Sequence, residues 1–486
     1  MFSKTTKGIY IGKPEAEAES INQHYGYSRL FRDYMNIDEK INNGCFIISG
    51  RKGAGKSAYA NWLLEQSKSS ETLFCSIFKK DELDLEKVIN SPSDKPVQFD
   101  ALFEWIILVR FVRMILNSNV GTYLSQYKAL KDFYNKNSGL VEIDKYDISE
   151  ILSDREINFS ALKQHFGFFS GFKSKMVKAP FYQMITPLRG TIKQMLSMDI
   201  YRNIKFFVLF DDLDIGFKLQ RENDRKMLLD LVRVSKRYNT DYLAGTSAKV
   251  LLFIRDDIAN RLEGTDCDVN KIFSSYQFCI NWYPYISGQK DLKHSLLRQF
   301  INQRIELAFK QKGYNCNKED PWSSFVQESE QRGQFRNVLD HTFYTPRDLI
   351  TIFKDIDSKD YSIPLSYKDL NILLREYSKI KKREIVDELV ALYDKATIDE
   401  LLGILKDVAA SPEPFTYNDI ITDLRNIGLD EEDLNTLVDY SLLVPVDKSG
   451  YKFFIYRNNT LSGKPSDYDY SVPKVLITYF STTVWH

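Results

Sequence analysis

The chain has 486 residues, enough at ordinary domain sizes for roughly two to four domains, and 43% hydrophobic against 27% charged residues is the balance of a folded soluble protein. Lysine plus arginine and aspartate plus glutamate both total 66, so the chain as a whole has no excess charge to draw it to nucleic acid. Five cysteines with no C-x-x-C pair argue against a disulfide framework or a structural zinc site.

In chain order, Met1-Phe2-Ser3-Lys4 runs into polar sequence without a secretion signal. A cytoplasmic protein with buried, reduced thiols is expected. Residues 1–40 read as an N-terminal segment packing on the core, with a helix near 27–34. Residues 45–49, an apolar run between Gly44 and Gly50, fit a buried parallel strand, and residues 57–66 a helix after a glycine-rich turn. A second strand is expected at 72–77. Residues 101–200 read as a helical insertion. Its apolar run at 103–116 is too short to span a bilayer and carries Glu104, Arg110 and Arg113, so a buried amphipathic helix and no membrane contact are expected.

Residues 204–210 give the strongest buried-strand signal and end in Asp211-Asp212-Leu213-Asp214. A helix at 224–238 and further strands at 242–247 and 276–282 follow. Strands alternating with helices imply a doubly wound α/β sheet over residues 41–290. The pattern is helical over 291–406. Beyond Pro412 and Pro414, helices at 417–427 and 431–441 and strands at 443–446 and 451–456 make a winged-helix pattern over 407–486.

Gly50-Arg51-Lys52-Gly53-Ala54-Gly55-Lys56-Ser57 matches G-x-x-x-x-G-K-[ST] at every position. From average residue usage, a chain this long meets the pattern by chance about once in a hundred. Glycines let backbone N–H groups close around phosphate oxygens, and the next helix turns its N-terminus to the anion. The binding set is then Gly50, Arg51, Lys52, Gly53, Ala54, Gly55, Lys56, Ser57 and Ala58. Lys56 reaches the β- and γ-phosphates of ATP, and Ser57 offers its hydroxyl to Mg²⁺. The fold expected is a P-loop NTPase core with a helical lid and a C-terminal winged-helix domain.

The acidic strand end supplies the second half of such a site. Asp211 would hold Mg²⁺ and Asp212 would orient or deprotonate the attacking water. An aspartate-rich loop capping the next helix is the alternative, and Asp214 reads as such a capping residue. Thr246 with Ser247 could sense the γ-phosphate from the end of the 242–247 strand, or cap a helix. Arg255 could act as a finger on the transition-state charge, or pair with Asp256 or Asp257. Arg347, in Thr345-Pro346-Arg347-Asp348-Leu349, could reach the phosphates from the lid or simply begin a helix after Pro346.

These motifs, in this order, resemble bacterial P-loop ATPases of the additional-strand class, near the AAA+, STAND and KAP branches, whose loop reads Gly-Arg-Lys-Gly-x-Gly-Lys-Ser. The resemblance implies ATP, Mg²⁺, self-association through the ATPase domain, and residence in anti-phage defence systems beside an effector protein. A regulatory ATPase that switches an assembly is therefore expected. An ATP-gated DNA-binding protein is the alternative; the acidic start of its second winged helix, Glu431-Glu432-Asp433, and the absence of net positive charge do not support DNA contact.

Overall fold

The computed structural model describes residues 4–20, 27–79, 99–137, 156–213, 222–263, 266–283, 292–328, 333–390, 392–457 and 461–483. The chain divides into two compact units. A sheet unit comprises Phe31–Gly50 and Lys56–Ile280, and a helical unit comprises Met1–Leu30, Arg51–Gly55 and Asn281–His486.

The sheet unit is built on five parallel strands: β1 (Ile47–Gly50), β2 (Leu73–Lys79), then β5 (Lys205–Asp211), β6 (Ala248–Arg255) and β7 (Gln277–Ile280), in the spatial order β2-β5-β6-β1-β7. A short antiparallel pair within the insertion, β3 (Glu156–Asn158) with β4 (Lys178–Pro180), forms a separate ribbon. A sheet covered on both faces needs near-continuous apolar strands. Phe206, Phe207, Val208, Leu209 and Phe210 supply one, all buried. Rings bridge adjacent strands at Phe74–Phe206 and Phe78–Phe210, and Phe103 meets Phe210 edge-on.

Phe103 belongs to the helix Phe99–Asn117, the apolar run flagged in the sequence, which is buried along nearly its whole length. Its buried Glu104 and Arg110 have polar partners, as burial demands. Glu104 accepts from Arg189 and Arg237, each at 2.9 Å, and from the Tyr238 hydroxyl at 3.3 Å; Arg110 donates to Ser76 Oγ at 3.1 Å. Among the described residues no helix is long and apolar enough to cross a membrane. Cys267 and Cys279 are exposed and the other three cysteines half-buried, against the expectation of buried thiols; Cys267 begins a helix, and Cys279 lies on β7, an edge strand of the sheet.

The expected strand at 242–247 does not form. The helix Glu222–Arg237 runs on into a π-turn, Tyr238–Tyr242, and Gly245 at φ 78° closes it, so the chain enters its strand only at Ala248. A π-turn and a left-handed glycine consume the residues whose apolar character suggested a strand.

Residues up to Leu30 fall in the helical unit, and from Phe31 the chain belongs to the sheet unit. Thr6 N–H donates to the Tyr361 carbonyl and Ile363 N–H to that of Lys4, both at 2.9 Å. Arg304, 4% exposed, is clamped by Glu19 at 2.6 and 2.8 Å. The C-terminal part contains the helices Lys395–Ala410, Tyr417–Asn426 and Glu431–Asp439 and an antiparallel pair, β8 (Val444–Val446) with β9 (Asp469–Ser471), extended by a bridge from Phe415 to Tyr470. The expected strand at 451–456 is not formed: only Lys452 bridges to Val446, and Ile455–Arg457 is a 3-10 turn. Tyr456 stacks on Phe343, and the Arg457 guanidinium lies over Phe454 and Tyr344, so ring packing outweighs strand propensity there.

His341 lies buried in this unit, with Nδ1 against the Asn337 carbonyl at 2.7 Å and Nε2 against Thr478 Oγ1 at 3.0 Å. Burial lowers its pKa to about 4, with nearby Lys474 acting the same way. A depressed folded-state pKa means that the neutral ring is favoured by folding, and stability falls as pH drops from the ordinary histidine value toward 4. Over that window the wild type should lose roughly 3 kcal/mol more than a His341→Gln variant. Denaturant titrations at pH 7, 5.5 and 4.5 read the difference; parallel curves would dismiss it.

Candidate phosphate and metal site

The register brings the chemistry to one edge of the sheet. Gly50 pairs with Arg255 and Ile280, and Lys79 pairs with Asp211, so the carboxyl ends of all five strands lie along the same edge. Ligands of open parallel sheets bind at that edge, where loops splay apart. Between β1, which leads into the glycine-rich loop, and β5, which ends in Asp211, stands one further strand, β6.

Within the sheet unit, Gly50 and Lys56 close the loop on itself: Lys56 Nζ donates to the Gly50 carbonyl at 2.7 Å, and the lysine is only 8% exposed. The helix Lys56–Ser69 starts there, with Ser57 and Ala58 in its first turn. Asp211 is 1% exposed, and neither of its carboxylate oxygens has a hydrogen-bond partner of normal geometry. Burial pushes its pKa up to about 7, helped by the charge of Asp212; the Ser57 hydroxyl and the Lys56 and Lys79 ammonium groups pull the other way. A buried carboxylate with two idle oxygens beside a serine hydroxyl suits a hard divalent cation. Mg²⁺ characteristically takes one or two protein ligands and fills its remaining positions with water and phosphate oxygens. Ser57 and Asp211 are the residues that would hold it.

Asp212 occupies left-handed backbone, φ 59°, outside the strand ladder, with its carboxylate 3.9 Å from Lys79 Nζ. Sequence reading missed Lys79, which only the β2–β5 register places there. Arg255, the last residue of β6, is held bidentate by Asp257 at 2.9 and 2.8 Å. Thr246 is not brought to this edge. It precedes β6, whose first residue, Ala248, pairs with Phe206 at the amino end of the sheet, and its hydroxyl donates to the Leu243 carbonyl at 2.7 Å. A γ-phosphate sensor at Thr246 is therefore excluded by strand direction; Arg255 holds the position at the carboxyl end of that strand. Asp214 lies outside the described residues.

Within the helical unit, Arg51–Gly55 is held by neighbours from far along the chain. Trp282 Nε1 donates to the Ala54 carbonyl at 2.7 Å. Arg347 N–H approaches the Gly53 carbonyl at 3.4 Å, while its Nε donates to the Pro14 carbonyl at 3.2 Å. Gly53 has φ 81°, and a Cβ there would lie 2.8 Å from the Arg347 Cβ, so glycine is required twice over. The side chains of Arg51 and Lys52, both expected to bind cofactor, are engaged elsewhere: Arg51 with the 439–441 turn and Lys52 with Glu388 at 3.0 Å. What these two residues retain for an anion is backbone N–H. Trp282, Glu388 and Ser441 carried no local signal in the sequence.

The chain matches no protein-family model and no curated protein.

Proposed function

We propose that the protein is an Mg²⁺-dependent ATPase of the additional-strand P-loop class that works as a regulatory or assembly switch. One observation carries the reading: a complete G-x-x-x-x-G-K-[ST] loop leaves β1, a buried aspartate beside the Ser57 hydroxyl ends β5 on the same sheet edge, and a single strand separates the two. The loop's amides and Lys56 suit a triphosphate, Ser57 and Asp211 suit its cation, and Asp212 suits the attacking water. When bound, the cation would neutralise charge on the phosphates. Arg255 would act on the transition-state charge once freed from Asp257.

The C-terminal part supports a winged-helix reading, with Phe415, β9 and β8 as its small sheet and residues 447–457 in the wing. The start of its second helix, Glu431-Glu432-Asp433, favours a protein partner over a phosphate backbone. Partnership with an effector in anti-phage defence rests on the resemblance of the motifs. ATP hydrolysis measured against protein concentration, with and without duplex DNA, tests the reading. Turnover that rises with concentration and ignores DNA supports an assembly switch, and turnover stimulated by DNA at flat concentration dependence replaces it with an ATP-gated DNA binder.

The cation requirement should depend on pH. Asp211 must lose its proton to bind Mg²⁺, so half-saturating Mg²⁺ for turnover should rise by up to about tenfold as pH falls from 7 to 6 and level off above 7.5. Stability in the absence of the metal should move oppositely. A carboxyl raised from 3.8 to about 7 favours folding while protonated, and that contribution is lost as pH rises through 7. Mg²⁺ titrations of activity and of melting temperature at pH 6, 7 and 8 check both signs; pH-independent Mg²⁺ requirement would remove Asp211 from the cation site.

A further inference from the structure

We infer that Arg51 and Lys52 are positioning residues that clamp the phosphate loop to the C-terminal part of the chain, so that the 439–441 turn and Glu388 set how tightly the loop holds a phosphate. The inference deepens the ATPase reading and rests on it. The loop pattern leaves both positions open, so phosphate chemistry itself asks for no particular side chain at either. Here both are long cations, and both reach away along the same unit. Arg51 Nη2 donates to the Asp439 carbonyl at 2.8 Å and to Ser441 Oγ at 3.3 Å, Nη1 donates to the same hydroxyl at 3.3 Å, and the guanidinium lies 5.7 Å from the centre of the Tyr456 ring. Ser441 is 2% exposed and sits in left-handed backbone, φ 58°. Lys52 pairs with Glu388 at the end of the helix Tyr367–Leu389. With Trp282 on the Ala54 carbonyl and Arg347 against Gly53, four consecutive loop residues have an outside hold. A loop whose amides are already arranged loses less entropy when it closes on an anion, which lowers the dissociation constant without touching the chemical step. By reciprocity, nucleotide binding tightens the C-terminal turn on the loop, giving a partner docked there access to the nucleotide state.

Binding of ATPγS with Mg²⁺, steady-state kinetics and amide exchange over 51–55 test this on the full chain. Glu388→Lys turns an attraction on Lys52 into a repulsion, and Ser441→Ala removes the hydroxyl that accepts from Arg51. Each should raise the ATPγS dissociation constant and the KM for ATP by about three- to fivefold while kcat stays within about twofold. Glu388→Asp, which keeps the charge, should hold KM nearer wild type than Glu388→Gln, which keeps the size, a split that a merely structural defect would not produce. Unchanged KM in Glu388→Lys and Ser441→Ala, or Glu388→Asp and Glu388→Gln raising KM alike, overturns the clamp. If the wild type binds no ATPγS, the ATPase reading fails, and the clamp is then decided by exchange alone. Faster exchange at 52–55 in Glu388→Lys and Ser441→Ala upholds it, and unchanged exchange overturns it.

Discussion

Lys56→Ala should abolish ATP turnover, lowering kcat/KM by at least about 100-fold, with the protein still folded. The lysine is nearly buried, and its ammonium group rests on the Gly50 carbonyl, so its position is set by the loop and not by chance surface contact. It also supplies one of the two positive charges that hold down the pKa of Asp211. Alanine therefore removes the phosphate contact and, at the same stroke, makes the neighbouring carboxylate harder to ionise and the cation harder to hold. The loss should appear in both nucleotide affinity and kcat. Hydrolysis of ATP by the variant, with a melting curve to show that it folds, is the measurement. Activity retained to within a few-fold would mean that the glycine-rich loop binds something other than a triphosphate, or nothing.

Asp212→Asn should leave ATP binding intact and reduce kcat by at least about 100-fold, the signature of a group used only in the chemical step. Asparagine is the discriminating substitution. It keeps the size of aspartate and is among the few non-glycine residues at ease in the left-handed conformation that Asp212 adopts, so backbone strain stays constant while the carboxylate disappears. The residue is partly exposed and faces Lys79, which places it to exchange a proton with solvent-borne water, whereas Asp211 is sealed. Asp211→Asn should instead raise the Mg²⁺ requirement. Single-turnover kinetics at saturating Mg²⁺ separate the two. If Asp212→Asn hydrolyses ATP at the wild-type rate, the chain is a structural nucleotide binder whose sheet edge lacks a working base.

How far each residue could be read follows from how local its signal is. The glycine-rich loop, the strand before it and the helix after it are contiguous, so 45–66 was legible as one piece, as was the apolar run into Asp211-Asp212. The strand at 248–255 was misplaced by a few residues because the π-turn and Gly245 cannot be seen in an apolar count; with it went Thr246, assigned to the wrong end of the sheet. Segment 451–456 has strand-forming composition, but its Tyr456 ring stacks on Phe343 and Tyr344, partners far outside any local window.

Taken alone, the sequence determined the glycine-rich loop between a strand and a helix, the acidic strand end, the alternation of strands and helices, and the buried character of the helix at 99–117, because each depends on spacing within a few residues or on apolar periodicity. Only the tertiary structure decided that β6 stands between the two acidic and glycine-rich strand ends, that Lys79 faces Asp212, and that Arg51 and Lys52 are spent on residues 388 and 439–441. Those are pairings across sheet register and across hundreds of residues of chain. No local preference encodes them, since they arise when burial of the strands and rings forces distant polar groups to satisfy one another.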